Sequence, residues 1–443
     1  MKKIISKVRN SVIPTKSQEK SKGKIADLAF KLVETQIKKF PEIINLEFGG
    51  SFAKGTWLPK NADVDIFIKF KKEISEENFV KISKKIGFDS MKSHNPYVRY
   101  SEHPYVEAKI KDTKINVVPC YDVKLGDWRS SADRSPFHTV NMKKVLTSKM
   151  KNEVRLLKTF LRSASIYGAE MAKQGFSGYV SEVLILNFGS FENVIKSIAK
   201  INENQIIGKT SKKFETPIVI IDPIDKNRNL AAAISVENIG KFILNCREFQ
   251  SRPSTKFFKA KNNKLSKNNF ENILIVKFNF KIRSPDIIWG QIKRVTNSLK
   301  TQLELGGFNV LRSTAHTDEK KEACLLFLLD SSVIPKKYSK IGPDIFREKD
   351  CHSFISKNSS KTELMWINNA GKIVSLEKRK DFEVVKFLSN FLKNNLQSGI
   401  PKGLQGDFKK GVKISLGTKN LPKSLKEVIK DLISTDETIF SNN

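Results

Sequence analysis

The chain has 443 residues, of which 39% are hydrophobic and 30 are phenylalanine. It is therefore too long for one core, and too apolar for wholesale disorder, and its length predicts about two to four domains. Its 80 lysines and arginines outnumber 46 acids, which leaves a formal charge of +34. We expect so basic a chain to bind a polyanion, namely a nucleic acid, with an affinity that falls as salt rises.

Cysteine usage and hydropathy indicate the setting of the chain. The four cysteines are scattered and form no C-x-x-C pair, which argues against a zinc ribbon and against a disulfide framework. Such usage fits a reducing compartment. The opening MKKIISKVRNSVIP lacks an apolar stretch, so we expect no signal peptide, and no run of about 18 apolar residues predicts a membrane span. We predict a cytoplasmic protein that does not bind membranes.

The first 150 residues mix helical and strand patterns. A helix is predicted over residues 15–39, and IINLEF then predicts a strand that leads into a double glycine. VDIFIKF predicts a second strand, on which Asp63 and Asp65 share the face opposite to the aliphatic residues. YVEAKI and INVVPCY predict a hairpin. These elements predict an α/β domain that ends near Met150.

From residue 152 the pattern becomes helical. NEVRLLKTFLRSASIYG predicts a helix that ends at Gly168, because glycine commonly follows the last turn of a helix. GYVSEVLILNFGSFENVIKSI continues with helical periodicity, and TPIVIIDP predicts a short buried strand.

The C-terminal third begins with a strand, a helix and two further strands. NILIVKFNFKI predicts the first strand, and the helix after it has Ser284 as N-cap and Pro285 at its first position. FNVLRSTA and EACLLFLLD predict the other two strands. A β-α-β-β order predicts a ferredoxin-like or RRM-like unit. DFEVVKFLSNFLKNNL predicts an amphipathic helix before a segment rich in glycine and lysine.

The stretch GGSFAKGTW carries the first functional signal. Gly50 and Gly55 have P-loop spacing, but Thr56 stands where that motif requires lysine, so a P-loop is excluded. The backbone N–H groups of the turn and the Ser51 hydroxyl can still bind phosphate oxygens, and Lys54 can neutralise them. An ordinary turn between a strand and a helix is the alternative.

The pair Asp63 and Asp65, in DVD, carries the second signal. Acids two residues apart are common by chance, but these two lie on one face of an apolar strand shortly after the glycine turn. Two parallel carboxylates suit Mg²⁺ ions that bridge the phosphates of a nucleotide, because hard cations prefer oxygen ligands. A solvent-facing edge strand is the alternative.

Together these motifs resemble those of the nucleotidyltransferase superfamily, and more specifically those of the archaeal class I CCA-adding enzymes, which are tRNA nucleotidyltransferases. The central pattern is G-G-S-(F/Y)-A-(K/R)-x-T-W-L followed by (D/E)-(V/I)-D. Further stretches that resemble this family are EHPYV, VVPCY, ADRSPFH, NEVRLLK, YGAE, GFSGY, DPIDKNRN and CREF. The resemblance is dense over residues 40–255 and thin afterwards.

The resemblance implies an α+β multidomain fold with a head, a neck, a body and a tail. The α/β nucleotidyltransferase head, which is catalytic, is expected at residues 1–150, and a helical, nucleotide-binding neck at 151–215. A mixed body is expected at 216–270 together with 370–443, and a ferredoxin-like or RRM-like, tRNA-binding tail at 271–369.

The resemblance also implies the reaction. The enzyme would add or repair CCA at the 3′ end of tRNA without a template, from CTP and ATP and with Mg²⁺ as cofactor. The tRNA 3′-hydroxyl would attack the α-phosphate of the nucleotide, and pyrophosphate would leave. tRNA, CTP and ATP are thus the expected partners, and a homodimer is a further state to be tested.

The family motifs imply a role for individual residues. Asp63 and Asp65 are implied to be catalytic and to hold metal, together with Asn116. Ser51 and Lys54 are implied to bind the triphosphate. The other implied nucleotide-binding residues are His138, Lys158, Tyr167, Asp222 and Arg228. Without the resemblance, these five would be read as packing, solvated-helix or turn positions.

Asn116 departs from the family motif, which has DVVPCY where this chain has NVVPCY. An amide oxygen can coordinate Mg²⁺, but it brings no charge and cannot help to deprotonate the attacking hydroxyl. Three explanations stay open: a site that works with two carboxylates and an amide, a deliberately inactivated sequence, or a lineage that has lost rate. The alternative functions are a tRNA 3′-end-binding protein with weakened catalysis and a poly(A)-polymerase-like enzyme.

We expect Asn116→Asp to raise turnover substantially, because it restores an anionic ligand to the metal that activates the hydroxyl. Steady-state rates of nucleotide addition at saturating Mg²⁺ measure the effect. A rate that stays within about twofold of the wild type would contradict this account of the third ligand.

Overall fold

The computed structural model describes residues 1–59, 62–100, 103–259, 264–265, 272–417 and 421–440. The chain divides into two compact units. The first unit consists of Met1–Asn262, Ser284–Asp286 and Asp436–Asn443, and the second consists of Asn263–Arg283 and Ile287–Thr435.

Helices and strands alternate in the amino-terminal part of the first unit. In chain order they are α1 (Lys2–Val12), α2 (Lys16–Ile37), β1 (Ile43–Gly49), α3 (Gly50–Lys54), β2 (Val64–Phe70), α4 (Glu76–Met91), β3 (Tyr97–Tyr100), β4 (Pro104–Ile110) and β5 (Thr113–Tyr121). The strands form a sheet in the order β1-β2-β5-β4-β3, in which β2 and β5 are parallel and the other neighbours antiparallel.

Strand alternation gives this sheet two different faces. Ile66 and Ile68 of β2 pack into a core with Ala29 of α2 and Ile86 of α4. Residues of β2 that alternate with them, including Asp65, point to the opposite face. Helices α2 and α4 therefore cover one side of the sheet, and the other side carries Asp65 and Asn116 together with the buried Phe67 and Cys120.

The rest of the first unit is mainly helical. Its elements are α5 (Arg134–Val145), α6 (Ser148–Ser163), α7 (Gly178–Phe188), α8 (Phe191–Ala199), β6 (Gln205–Ile207), β7 (Ile218–Asp222), β8 (Asp225–Asn229) and α9 (Val236–Ser251). Side chains from α1, α6, α7, α8 and α9 share one apolar core, which includes Ile5, Leu157, Val183 and Phe242. Strand β7 lies between β6 and β8.

The second unit contains most of the remaining elements. They are β9 (Lys264–Leu265), β10 (Ile273–Asn279), α10 (Pro285–Leu305), β11 (Val310–Thr317), β12 (Glu322–Leu329), β13 (Lys337–Asp344), α11 (Glu348–Asn358), β14 (Thr362–Ile367), β15 (Lys372–Lys378), α12 (Val384–Asn394), α13 (Leu396–Gly399), α14 (Lys402–Lys409), β16 (Val412–Leu416), α15 (Lys423–Leu432), β17 (Ser434–Thr435) and, in the first unit, α16 (Glu437–Phe440).

The main sheet of the second unit is antiparallel and has the order β11-β12-β10-β16. Leu274 and Val276 of β10 pack into a core with α10 and α12, whereas Ile273 and Ile275 pack against α15 on the other face. Burial on both faces explains why this strand is a continuous apolar run in the sequence. A separate sheet has the order β13-β15-β14.

Most predicted elements are confirmed. The helix expected over residues 15–39 is α2, and its N-cap, Thr15, accepts a hydrogen bond from the Gln18 backbone. The predicted strands and hairpin of the head are β1, β2, β4 and β5, and the β-α-β-β run is β10, α10, β11 and β12. The mixed α+β, multidomain class is confirmed as well.

The predicted helix end at Gly168 is wrong. Helix α6 ends at Ser163, because the chain turns at Ser165, which has a φ of 58°. Tyr167 then forms an isolated bridge with Phe176, so this segment is extended.

Several elements were missed by the sequence patterns, among them helices α1, α4, α5 and α9 and the β13-β15-β14 sheet. Helix α1 lies in the lysine-rich start, and its Ile5, Val8 and Val12 are buried at helical spacing. The β13-β15-β14 sheet lies in polar sequence whose alternation is weak. Among the described residues, no helix has both the length and the apolar character needed to cross a bilayer.

Candidate active site

The glycine turn after β1 rests directly on a carboxylate of the neighbouring strand. Gly50 begins α3 with a φ of +63°, which residues with a side chain rarely adopt. A Cβ built at Gly50 would lie 1.7 Å from Asp65 Oδ2. Only glycine therefore allows the turn backbone to approach Asp65 this closely. Ser51 follows in α3 and is partly buried.

The register of the sheet aligns polar residues in one row across it. Gly49 of β1 pairs with Asp65 of β2, and Asp65 pairs with Asn116 of β5. Asn116 pairs with Glu107 of β4, and Glu107 pairs with Tyr97 of β3. Directly paired residues project from the same face of a sheet. We call these five residues the polar row.

Asn116 joins the polar row through its amide group. Its Nδ2 donates a hydrogen bond of 2.8 Å to Asp65 Oδ1. Its Oδ1 is inaccessible to solvent and has no hydrogen-bond partner among the described residues. A buried acceptor without a donor is costly, so this oxygen is suited to a ligand that the protein itself does not supply.

Both acids of the DVD motif are destabilised as anions. Desolvation raises the pKa of Asp65, and the hydrogen bond from Asn116 and the charge of Lys54 only partly oppose it. Desolvation and the nearby Asp65 carboxylate raise the pKa of Asp63, although Asp63 keeps an exposed surface. Two neighbouring carboxylates with raised pKa values favour the binding of a cation.

The oxygen atoms present fit a hard divalent cation. Within the described part of the chain, no three His, Cys, Asp or Glu side chains converge closely enough to hold a metal ion. The set here is two carboxylates, from Asp63 and Asp65, with the unpartnered amide oxygen of Asn116. Carboxylate and amide oxygens are ligands of Mg²⁺ and Ca²⁺.

A second cluster surrounds Glu182 of α7, which is completely buried. Lys54 Nζ lies 2.5 Å from Glu182 Oε2, and Lys158 Nζ lies 3.6 Å from Oε1. The Thr56 hydroxyl donates a hydrogen bond of 2.5 Å to Oε1. Lys158 also donates to the Thr56 carbonyl at 3.0 Å. Two ammonium groups therefore share one carboxylate beside the glycine turn.

The Glu182 carboxylate and the two lysine ammonium groups affect one another's ionisation. Burial by itself disfavours the Glu182 anion, but Lys54 and Lys158 outweigh it and hold the pKa of Glu182 below its usual value. Burial lowers the pKa of Lys158 despite the attraction of Glu182. Arg155 of α6 donates to the carbonyls of Trp57 and Gly55 at 3.0 and 2.8 Å, which fixes the loop that carries Thr56.

A third cluster surrounds Asp222, at the end of β7. His138 Nε2 and Arg228 Nη1 each lie 3.0 Å from Asp222 Oδ2. The Tyr179 hydroxyl and the Ile224 backbone N–H donate to Oδ1 at 2.8 and 3.1 Å. His138 stacks on Tyr179 with ring centroids 3.8 Å apart. A completely buried carboxylate thus orients an imidazole, a phenol and a guanidinium.

The ionisation of the Asp222 cluster follows from its burial and its donors. Burial opposes the Asp222 anion, but the hydrogen bonds from His138, Tyr179 and Ile224 hold its pKa below the usual value. Burial lowers the pKa of His138, so its imidazole is neutral and donates through Nε2. Burial and the nearby Asp222 raise the pKa of Tyr179 far above its usual value.

The hydroxyl of Tyr167 and the ammonium group of Lys158 both lie beside Gly178. A Cβ added at Gly178 would lie 3.0 Å from Tyr167 Oη and 3.4 Å from Lys158 Nζ. Burial raises the pKa of Tyr167 to about 12, so the phenol stays protonated. Arg162 lies 5.1 Å from the centre of the Tyr167 ring and favours the anion of Asp63.

The structure brings the residues implied by the family motifs into three groups. Asp65 and Asn116 are neighbours in the polar row, and Asp63 lies close enough to Asp65 for their charges to interact. Lys54 and Lys158 share Glu182, and His138 and Arg228 both contact Asp222. Lys54 Nζ lies 5.4 Å from the centre of the Tyr179 ring, which connects the second and third groups. The functional roles of these residues stay predictions.

Sequence reasoning missed Glu182, Tyr179 and Glu107. Glu182 is an isolated acid in the apolar run GYVSEVLIL, and a lone acid in a buried helix needs a basic partner. Tyr179 lies in the recognised stretch GFSGY but carried no distinct signal. Glu107 lies opposite Asn116 only because of strand register, which the sequence did not provide.

We expect Gly50→Ala to lower the free energy of unfolding by at least about 1 kcal/mol, because a left-handed alanine is strained and its Cβ would displace Asp65. Urea unfolding measures the effect. Gly23→Ala is the matched control: Gly23 lies inside α2 with no atom within 4 Å of its Cβ position. It should unfold at equal or higher urea. Wild-type behaviour of Gly50→Ala would contradict the close approach.

We expect Glu182→Gln to lower the free energy of unfolding near neutral pH by about 3–5 kcal/mol, because Lys54 and Lys158 lose their buried counter-charge. The pKa of Glu182 is depressed by folding, so its stabilisation is present above the usual glutamate pKa and is lost as the pH falls through the lowered value. The difference between variant and wild type should therefore shrink in acid.

Urea unfolding at several pH values measures this change. Glu192→Gln serves as control, because Glu192 forms a partly exposed i,i+4 pair with Lys196 and should contribute less than about 0.5 kcal/mol. Equal, small losses for both variants at every pH would show that the Glu182 cluster carries no buried charge.

Comparison with protein families gives three matches along the chain. Residues 31–138 match the family described as nucleotidyltransferase domain. Residues 152–259 match the second domain of tRNA nucleotidyltransferase, and residues 271–417 match the C-terminal domain of the CCA-adding enzyme.

Curated proteins that resemble the chain are CCA-adding enzymes. The protein of Saccharolobus shibatae is 33% identical over 383 residues, which cover 86% of this chain and 89% of that protein. The protein of Sulfurisphaera tokodaii is 34% identical over 76% of this chain and 81% of its own length. The protein of Pyrobaculum islandicum is 28% identical over 88% and 94%.

Similarity to solved structures is lower. The Cid1 poly(U) polymerase with magnesium and 3′-dATP aligns with a TM-score of 0.46 and 12% identity, over 58% of this chain and 98% of that chain. A similarity at this level supports no inference about function. The family is shown by the three family matches and by the 33% identity to a relative of which 89% is covered: the chain belongs to the CCA-adding enzyme family of nucleotidyltransferases.

Proposed function

We propose that the chain adds CCA to the 3′ end of tRNA from CTP and ATP, by template-independent nucleotidyl transfer that releases pyrophosphate. The observation that carries this proposal is the identity of 33% to a curated CCA-adding enzyme over 86% of the chain. The contact between the Gly50 turn and Asp65 supports it, because it sets a phosphate-binding turn beside acids that suit a metal ion.

Mg²⁺ is the proposed cofactor, held by Asp63, Asp65 and the Oδ1 of Asn116. When bound there, it would supply positive charge to the triphosphate and to the attacking 3′-hydroxyl. Asp63 is the more exposed of the two carboxylates, so we assign it the proton of that hydroxyl. Asn116 cannot accept this proton, because a side-chain amide is not a base near neutral pH.

The Glu182 cluster is the proposed triphosphate site. Lys54 and Lys158 share a single carboxylate, so an incoming anion meets positive charge that Glu182 does not fully neutralise. The cluster is buried, and charge interactions are stronger there than in water. The Ser51 hydroxyl and the N–H groups of the turn would add hydrogen bonds to phosphate oxygens.

The Asp222 cluster is the proposed site for the base and ribose of the nucleotide. Asp222 holds the neutral imidazole of His138 and the guanidinium of Arg228 in fixed orientations. The Arg228 side chain keeps 38% of its surface exposed, so its remaining donors can reach a base edge. We assign Tyr167, protonated and adjacent to Lys158, to packing against the nucleotide.

We further propose that the tail is ferredoxin-like and binds tRNA. The order β11-β12-β10-β16, with α10 after β10 and α12 before β16, supports this topology. The division into head at 1–150, neck at 151–215, body at 216–270 with 370–443, and tail at 271–369 stays a prediction. Residues 370–435 belong to the same compact unit as the tail, which favours a tail larger than predicted.

The homodimer and the cytoplasmic location likewise stay predictions. Light scattering on the purified chain tests the first, because it measures the mass of the particle in solution directly. Fractionation of cells tests the second.

One assay tests the proposed function. The chain is incubated with Mg²⁺, CTP, ATP and tRNA that lacks its terminal CCA, and the products are sized at single-nucleotide resolution. We expect ordered addition of C, C and A, and no product with CTP and ATP when Asp63→Asn and Asp65→Asn are combined. Tight tRNA binding without addition would favour the binding protein with weakened catalysis, and a long A tail would favour the poly(A)-polymerase-like enzyme.

A further inference from the structure

Two acids of the polar row flank Asn116: Asp65, which accepts its hydrogen bond, and Glu107 on the opposite side. Glu107 and Asn116 are directly paired on neighbouring strands, so their Cβ atoms are about 5 Å apart on the same face of the sheet. The Glu107 side chain is only 8% exposed. A carboxylate therefore lies one strand beyond the position where the family motif has aspartate and this chain has asparagine.

Glu107 is held in place mainly from the side away from Asn116. Tyr97 donates a hydrogen bond to it, and Arg99 Nε lies 3.4 Å from Oε2. Both come from β3, the strand beyond β4 in the sheet order. Lys114 Nζ lies 3.6 Å from Oε1 and is half exposed. These three contacts fix the position of the Glu107 carboxylate, and the third comes from β5, the strand that also carries Asn116.

Glu107 lies on the same face of the sheet as the metal-binding candidate Asp65, with only Asn116 between them in the row. A charge in a partly buried site acts over this range because screening by water is reduced.

We propose that Glu107 supplies the negative charge that Asn116 does not, and so acts as a positioning residue for cation binding at Asp63 and Asp65. It does not join them as a direct ligand, because no three acids in the described chain converge on one point. It acts across the Asn116 amide, whose Oδ1 it polarises as a ligand oxygen. The proposal deepens the proposed function and rests on it only for the metal site.

A purely structural role for Glu107 is the competing interpretation. In that case its contacts to Tyr97 and Arg99 would only fix β3 to β4, and its removal would affect cation binding equally whether residue 116 is neutral or acidic. A charge that compensates for Asn116 must instead become dispensable once residue 116 is itself an acid. A double-mutant cycle distinguishes the structural role from the compensating charge.

The experiment is a Mn²⁺ titration of the full chain without RNA or nucleotide, followed by the electron paramagnetic resonance of the free ion. Binding that remains in the combined Asp63→Asn and Asp65→Asn variant is subtracted as background. The cycle consists of four proteins: the wild type, Glu107→Gln, Asn116→Asp and the variant with both substitutions. Glu77→Gln is the control, because Glu77 is an exposed acid of α4 in the same unit.

We expect Glu107→Gln to raise the Kd for Mn²⁺ about tenfold in the native background and less than about threefold beside Asn116→Asp. Glu77→Gln should leave the Kd unchanged. Equal changes in both backgrounds, or no change in the native background, would overturn the proposal.

Glu107→Asp guards against misfolding, since it keeps the charge and shortens the side chain. We expect it to retain Mn²⁺ binding better than Glu107→Gln, whatever the thermal stability of the two variants, and a Kd that follows stability instead of charge would overturn the proposal. Because no tRNA or nucleotide is present, the cycle gives its result independently of CCA addition. If the Kd values for Mn²⁺ change as expected but no CCA is added to tRNA, the proposed function is refuted and the role of Glu107 is retained.

Discussion

The backbone of Gly50 rests against the carboxylate of Asp65, and the geometry of the candidate site follows from that contact. No side chain separates the turn from the acid, so groups that suit a phosphate and groups that suit a cation lie next to each other. The parallel pairing of β2 with β5 then brings Asn116 to Asp65. The α2 and α4 side of the sheet provides the core that keeps this register.

Buried carboxylates organise the rest of the site. Glu182 and Asp222 are both fully buried, and each is surrounded by donors that satisfy its oxygens. Burying such charges is costly, and it is sustained here because lysine, histidine and tyrosine partners converge on them. The unpartnered Oδ1 of Asn116 contrasts with this pattern. This oxygen is the one proposed as the third ligand of Mg²⁺.

Local patterns in the sequence were sufficient for much of the fold and for part of the site. Strands β1 and β2 and helix α2 follow from periodicity and capping, which depend on neighbouring residues only. Helix α1 was missed because lysines separate its few apolar residues in the sequence. Their helical spacing matters only because they pack against α6 in the shared core. The acid inside GYVSEVLIL was a usable signal for Glu182, but it did not identify the partner.

Short stretches of sequence were enough to predict the family, the α+β class and the positions of the glycine turn, the DVD pair and Asn116. These are features of residues close to one another in the chain. The tertiary structure decided which groups meet: Asn116 and Asp65 are 51 residues apart, and Lys54 and Glu182 are 128 apart. Such contacts depend on strand register and on helix packing over a shared core, and neither is encoded in any short stretch of sequence.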